Sequence, residues 1–362
     1  MNKIRVLHCI HSLSGGGAET QVKILSSNIG THDVDVAIFC VNDEGVNDIT
    51  DQNVKIIRHS GGSKYDFSLF SSLNKVIAEF KPDVVHAWLP ASMTIPAMIV
   101  SRVRGIPCIF SYRNLMRFHR PLSVPEYIVA KICASKIVSN NSISQSKYLF
   151  RQMYHSKNGV VIKNAVDIDS NFLKKNDEYY NGGKLKILFV GRLTKQKNIS
   201  CLIKALSLLD ADVDYKLTVC GDGEDKAQLI NDIECLNLSE NINLLGFKKN
   251  IHQYMKASHL LLLPSLHEGM PNVLLEALEV GLPAIVSDIP AHRDLVGKTG
   301  AVRMFDPNSP DELAGRIGEY LSNYDGENLK VKIGKEIASN YSPAHLANEY
   351  NTVYRSLVRN NA

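Results

Sequence analysis

The sequence predicts an α/β protein made of two doubly wound parallel sheets, on three observations. Short apolar runs alternate with amphipathic stretches at helical spacing along the whole chain, which is the strand, loop, helix rhythm of a parallel sheet. That rhythm lapses once, in polar and Gly-rich sequence between about Lys163 and Gly183, and then restarts. A length of 362 residues favours two domains and suffices for two cores.

In the first half the apolar runs are IRVLHCI from Ile4, VDVAIFCV from Val34, NVKIIRH from Asn53, DVVHAW from Asp83, PCIFSY from Pro107 and KIVSNN from Lys136. Each is four to eight residues long and rich in Val, Ile and aromatic residues, as buried strands are. Between them lie the helix-like stretches AETQVKILSSNIG, FSLFSSLNKVIAEF, ASMTIPAMIVSRVRG and PEYIVAKICASK. The second half repeats the pattern with strands LKILFVG, YKLTVCG, NINLLGF, SHLLLLPS and LPAIVSD, separated by NISCLIKALSLL, DKAQLINDIECLN, NIHQYMKA and NVLLEALEVG. The stretch from Ser342 reads as a closing helix, with a serine N-cap, Pro343 at the first helical position and apolar residues at helical spacing.

Composition excludes a disordered or fibrous chain, at 44% hydrophobic and 22% charged residues. The seven cysteines form no C-x-x-C pair and sit mostly in apolar runs, so reduced, buried thiols in a cytosolic protein are expected, with neither disulfide frame nor zinc site. The first apolar stretch is too short for a signal peptide, and no run approaches the ~18 residues of a membrane span. Net charge is 41 minus 37, or +4, yet residues 1–163 carry 19 bases and 11 acids (+8) and residues 164–362 carry 22 and 26 (−4). The stretch Arg102 to Lys163 holds 11 bases, Arg117, Arg120 and Lys131 among them, and the single acid Glu126. No nucleic-acid motif or interleaved aromatic pattern accompanies that charge.

In open parallel sheets, ligands bind beyond the carboxyl ends of strands, where helix N-termini offer N–H groups to anions. The first such loop, Ser14-Gly15-Gly16-Gly17, lets backbone approach a phosphate or sugar, with Gly16 and Gly17 as the candidates. It stops short of G-x-G-x-x-G because Thr20 fills the last glycine position, which weighs against a dehydrogenase using NAD. His86 is expected to emerge at the edge of the fourth strand beside Trp88, and Arg113 and Asn114 at the edge of the fifth, where a guanidinium could clamp an anionic acceptor. The restart strand ends in Gly191-Arg192-Leu193-Thr194-Lys195-Gln196-Lys197-Asn198, closely spaced cations before a helix, which suits a diphosphate.

The richest loop runs from Pro264 through His267-Glu268-Gly269-Met270-Pro271-Asn272-Val273 into a helix carrying Glu276. Its first N–H groups can meet phosphate, and Glu276, just past the first turn, can accept from sugar hydroxyls. Spacing alone does not distinguish Glu268 and Glu276, since Glu319 and Glu327 are also eight apart; strand, glycine turn and helix around the first pair do. D-x-D occurs four times with no convincing strand-end loop, so no metal is expected.

The chain resembles the retaining glycosyltransferases of the group 1 type over nearly its whole length. GRLTKQKN and PSLHEGMPNVLLEALEVGLPAIVSD are the most specific motifs, with SGGGAE, DVVHAW, KNAVD, CGDGED and LLGF in the expected order. The resemblance implies the GT-B architecture of two Rossmann-like domains facing across a cleft: 1–165 for the acceptor, to which a helix at 342–359 crosses back, and 166–341 for the nucleotide sugar. It implies transfer from a nucleotide-diphosphate sugar, UDP favoured, with retention and without metal or other cofactor. Arg192 and Lys197 would neutralise the leaving group, and Gly269 to Val273 would supply N–H contacts. Glu276 would hold the ribose, Glu268 the transferred sugar, and Gly246-Phe247 the base. His86 matches a histidine near the sugar, while Trp88 stands where many relatives carry a second one.

The resemblance further implies a polyprenyl-diphosphate-linked or oligosaccharide acceptor in surface polysaccharide synthesis, O-antigen or capsule. The basic stretch would attach the protein peripherally to the anionic inner face of the cytoplasmic membrane. A noncatalytic nucleotide-sugar-binding protein is the alternative, against which the joint presence of Glu268, Glu276, Arg192 and Lys197 argues.

Overall fold

The computed structural model describes residues 3–14, 16–42, 54–59, 67–89, 93–113, 123–141, 159–173 and 180–359. Two compact units emerge, Met1–Ala165 with Tyr341–Ala362, and Val166–Asn340.

The first unit runs β1 (Ile4–Ile10), α1 (Gly17–Asn28), β2 (Val34–Cys40), β3 (Lys55–Arg58), α2 (Ser68–Phe80) and β4 (Val84–Trp88). It continues through α3 (Thr94–Val103), β5 (Cys108–Tyr112), α4 (Ser123–Cys133), β6 (Lys136–Ser139) and β7 (Gly159–Val161). All pairings are parallel, in the order β3-β2-β1-β4-β5-β6-β7. Strand parity makes two cores. Ile4, Val6 and Ile10 face one and Leu7 and Cys9 the other, which explains why these strands read as continuous apolar runs. On the second face α2 buries Leu69, Leu73, Val76, Ile77 and Phe80, a helical stripe worth ~2 kcal/mol for each large side chain.

The second unit runs β8 (Leu185–Val190), α5 (Ile199–Ser207), β9 (Tyr215–Cys220), α6 (Lys226–Cys235), β10 (Ile242–Gly246), α7 (His252–Ala257) and β11 (Leu260–Leu263). It closes with α8 (Asn272–Val280), β12 (Ala284–Ser287), α9 (Pro290–Val296), β13 (Arg303–Phe305), α10 (Pro310–Ser322) and α11 (Glu327–Ser339). Its sheet is also parallel, ordered β10-β9-β8-β11-β12-β13. Sequence reading passed over β13, three residues of which two are only part-buried, and the helices around it. The start of α10 carried a legible signal: Ser309 caps it by accepting from the Glu312 N–H at 3.2 Å, with Pro310 following the cap.

The last helix, α12 (Pro343–Arg359), belongs to the first unit. It buries Leu346, Ala347, Tyr350, Val353, Tyr354 and Leu357 in the core built by β1, β2 and α1. None of the seven cysteines is bonded to another, and Cys235 is exposed rather than buried. No described helix is long and apolar enough to cross a membrane.

Candidate active site

β8 and β11 are neighbours at the point where the strand order of the second sheet reverses, which is where such sheets leave a crevice for ligands. The loops leaving these strands are GRLTKQKN and SLHEGMPN. Backbone and amide hydrogen bonds tie them together: Leu266 N–H donates to Gln196 O, and Gln196 Nε2 to His267 O, both at 2.9 Å. Asn198, left-handed at φ 53, donates from Nδ2 to Pro264 O at 3.1 Å and to Pro307 O at 2.8 Å. An Asn tolerates that conformation where a branched residue does not.

The loop after β9, Gly221-Asp222-Gly223, supports the same turn from its other side. Gly191 N–H donates to Cys220 O at 3.1 Å, Leu193 N–H to Asp222 O at 2.9 Å, and Gly221 N–H to Gly246 O at 2.9 Å. A Cβ on Gly221 would lie 1.9 Å from Gly191 O, and one on Gly223 2.3 Å from Leu193 O, so only glycine lets these backbones meet. The left-handed Gly246, at φ +69, then turns the chain at Phe247, a residue that is 64% exposed.

Inside this frame Lys197 Nζ donates to Glu268 Oε1 at 2.5 Å, and Ser265 Oγ donates to the same oxygen at 2.7 Å. Burial alone would raise the Glu268 carboxyl; the charge and hydrogen bond of Lys197, together with Ser265, outweigh it and hold the group below the usual carboxylate range. Behind them Ser287 Oγ bonds Ser265 O, and the buried His292 donates from Nδ1 to Ser287 O at 2.7 Å. Burial, with Lys197 nearby, lowers the His292 pKa. Arg192 is exposed and makes no hydrogen bond or ion pair among the described residues. Helix α8 opens after Pro271 with no side chain capping it, and Met270 O accepts from Asn272 N–H at 3.0 Å. Glu276, on the next turn, has Oε2 buried with no hydrogen-bond partner among the described residues and 3.7 Å from His252 Nε2. Arg192, Lys197, Gly246, Phe247, Glu268 to Val273 and Glu276 thus all lie on strand-end loops of one sheet or the helix opening from one. Together they offer cations, an uncapped helix start and two carboxylates, a set fitted to a diphosphate beside hydroxyls.

The first unit corrects two expectations. His86 does not emerge at a strand edge. It lies two residues before the end of β4, on the face covered by α12, and is fully buried, with Nδ1 2.8 Å from the Tyr354 hydroxyl and Nε2 2.6 Å from Ser111 Oγ. Its register partner His8 lies 5.2 Å away between ring centroids and accepts from Trp88 Nε1 at 2.8 Å. Burial holds both rings neutral, lowering His8 to about 3 and His86 well below its usual value, the latter also through His8 and Arg113. Arg113 is likewise 4% exposed rather than free to clamp a ligand. It donates to Asn164 Oδ1 and the Tyr350 hydroxyl, with its guanidinium 4.8 Å above the Trp88 ring. Both side chains were misread because the helix that covers them lies more than two hundred residues away in the chain. Gly16 is the N-cap of α1 and Gly17 its first residue, and the Glu19 carboxylate folds back over Gly16. Gly15 and Asn114 lie outside the described residues.

A family model described as glycosyl transferases group 1 matches residues 171–339, and one described as glycosyltransferase family 4 matches residues 15–170. The chain is a glycosyltransferase whose second unit matches group 1. This glycosyltransferase is 26% identical over 333 residues, 90% of its own chain and 88% of the other, to the amylovoran biosynthesis glycosyltransferase AmsD of Erwinia amylovora. It is 29% identical over 297 residues, 72% and 73% of the two chains, to the Escherichia coli UDP-Gal:alpha-D-GlcNAc-diphosphoundecaprenol alpha-1,3-galactosyltransferase. Among solved structures, Anabaena Alr3699/HepE in complex with UDP-glucose superposes with a TM-score of 0.81 at 19% identity, covering 98% of the glycosyltransferase and all of that chain. Two parallel-sheet α/β units with these neighbours are the GT-B fold. Sequence reading missed Ser287, His292 and His252, single polar residues that only the fold brings to the site, and gave no role to Asn198 and Ser265, which lie inside its two loops.

Proposed function

We propose that this glycosyltransferase moves a hexose or N-acetylhexosamine from a UDP-sugar, with retention of anomeric configuration, to a polyprenyl-diphosphate-linked or oligosaccharide acceptor in O-antigen or capsule synthesis. The observation that carries the reading is the Lys197–Glu268 pair at the sheet's switch point, beside the exposed Arg192 and the uncapped start of α8. In this reading the diphosphate lies against Arg192, Lys197 and the N–H groups from Gly269 to Val273, which stabilise the charge that grows as the sugar–phosphate bond breaks. Lys197 is then shared between the leaving group and Glu268, whose other oxygen takes a sugar hydroxyl, while Glu276 takes the ribose and Phe247 the base. The acceptor oxygen bonds to the anomeric carbon on the face the diphosphate leaves, and its proton passes to a donor phosphate oxygen. Because protein cations carry the diphosphate charge, no metal is needed.

The names of the E. coli and Erwinia relatives support a lipid-linked acceptor and polysaccharide synthesis, and the UDP-glucose complex of the Anabaena protein supports the donor class. The basic stretch, whose Lys131 is exposed and whose Arg117 and Arg120 lie outside the described residues, would hold the protein on the anionic inner face of the cytoplasmic membrane. A panel of nucleotide sugars tested by thermal shift, then product mass and anomeric configuration, tests the reaction. A UDP-sugar should stabilise the protein and yield an α-linked product with EDTA present. Stabilisation without product favours a noncatalytic binder, an inverted product overturns retention, and a response to NAD alone overturns the donor assignment. Sedimentation with anionic vesicles should fall with added salt and on joint neutralisation of Arg117, Arg120 and Lys131; equal binding to neutral vesicles overturns the membrane reading.

A further inference from the structure

We infer that His252 is a positioning residue for Glu276, and through it for the donor nucleotide, an inference that rests on the reading of these loops as the donor site. Glu276 keeps one carboxylate oxygen, Oε2, buried and without a hydrogen bond among the described residues, and buried acceptors of that kind call for a donor. His252 Nε2 lies 3.7 Å from that oxygen, a gap that a shift of roughly half an ångström would close to hydrogen-bond length. The two side chains retain 25% and 20% exposure, so the pair sits at the rim of the site rather than deep in the core.

His252 is braced for this task. It is the first residue of α7, where its own N–H donates to Asn250 Oδ1 at 3.2 Å, and Met255 on the same helix is fully buried. The Phe172 ring lies 5.9 Å from the imidazole at an interplanar angle of 49°. The turn that carries Phe172 is pinned to α7 by Lys256 Nζ, which donates to Asn171 O at 2.9 Å, and is capped by Asp169, which accepts from Asn171 N–H at 2.8 Å. An N–H of His252 directed at Oε2 fixes the rotamer of Glu276 and leaves Oε1 for the ribose hydroxyls. The imidazole itself needs no contact with substrate.

The test is titration of the full-length protein with UDP, together with steady-state kinetics on the donor it uses. His252→Ala should weaken UDP binding and raise the donor KM five- to tenfold with kcat within twofold. His252→Gln, whose amide nitrogen reaches the place of Nε2, should recover most of that loss, whereas the shorter His252→Asn should not. In a Glu276→Ala background, His252→Ala should add nothing. Normal UDP affinity in His252→Ala, or equal behaviour of the Gln and Asn variants, overturns the role of His252 while a weakened Glu276→Ala leaves the donor site standing. Normal UDP affinity in Glu276→Ala overturns the donor-site reading, and His252 with it.

Discussion

Lys197 and Glu268 hold each other at 2.5 Å with side chains 19% and 10% exposed, so neither charge has much water to fall back on. Because the folded Glu268 pKa lies below its unfolded value, its contribution to stability is present above about pH 4.3 and is lost as pH falls through the folded value. Lys197→Met should therefore destabilise the second unit by about 2 kcal/mol or more at neutral pH, with a gap to wild type that narrows below pH 5 as the stranded carboxyl takes a proton. Urea denaturation across that range measures it; a gap independent of pH would mean that Glu268 is not the partner that matters. For catalysis, Glu276→Ala and Lys197→Ala should each lower kcat/KM for the donor at least tenfold, ~1.4 kcal/mol, in initial-rate assays. The background glutamate pair shows how much such residues owe to context: Glu327 spends its charge on Arg303 at 2.6 Å and Glu319 on Arg316 at 2.8 Å. Glu268 and Glu276 were legible because strand, glycine turn and helix surround them in sequence. His86 and Arg113 were misplaced, since strand parity and the covering helix decide burial, and neither is written within ten residues of them.

At the scale of elements, glycines let the loops of β8 and β9 touch. Gly221→Ala asks a methyl to share space with a backbone oxygen 1.9 Å away, and backbone, unlike a side chain, cannot swing aside. The expected loss is about 2 kcal/mol or more, read as a lowered melting temperature of the second unit together with weakened UDP binding. Gly315→Ala, inside α10 where a Cβ meets nothing within 4 Å, is the control: it should leave UDP binding unchanged and raise the melting temperature slightly, since a helix interior favours Ala over Gly by about 1 kcal/mol. As far as β12, and with β7 excepted, strand and helix runs were legible to within a few residues because parallel strands buried on both faces read as unbroken apolar segments. Strand order was not, and with it the fact that GRLTKQKN and SLHEGMPN flank one switch point. That adjacency depends on β11 crossing back to pair with β8, a choice made by packing among residues seventy apart.

Across the whole molecule, both sheets follow one winding order, while the charge divides as +8 and −4 between residues 1–163 and 164–362. The division between units at Ala165 falls where the periodicity lapses, a break that sequence displays openly. Attachment of α12 to the first unit came only from resemblance, since amphipathic spacing states that a helix has a face to bury and not which sheet receives it. Deleting residues 341–362 should leave the first unit with an uncovered apolar face around Trp88 and Ile109, and His86 without Tyr354. Such a chain should aggregate on expression, while residues 166–340 alone give a cooperative melt; a soluble, sharply melting truncated chain would show that α12 is dispensable. The same arrangement sets a schedule for biosynthesis. Translation delivers β1 to β7 first, but the segment that seals their open face is made only after the entire second unit has been synthesised. The first-made half therefore completes its fold last, and in the interval its unsealed apolar face is open to misassembly.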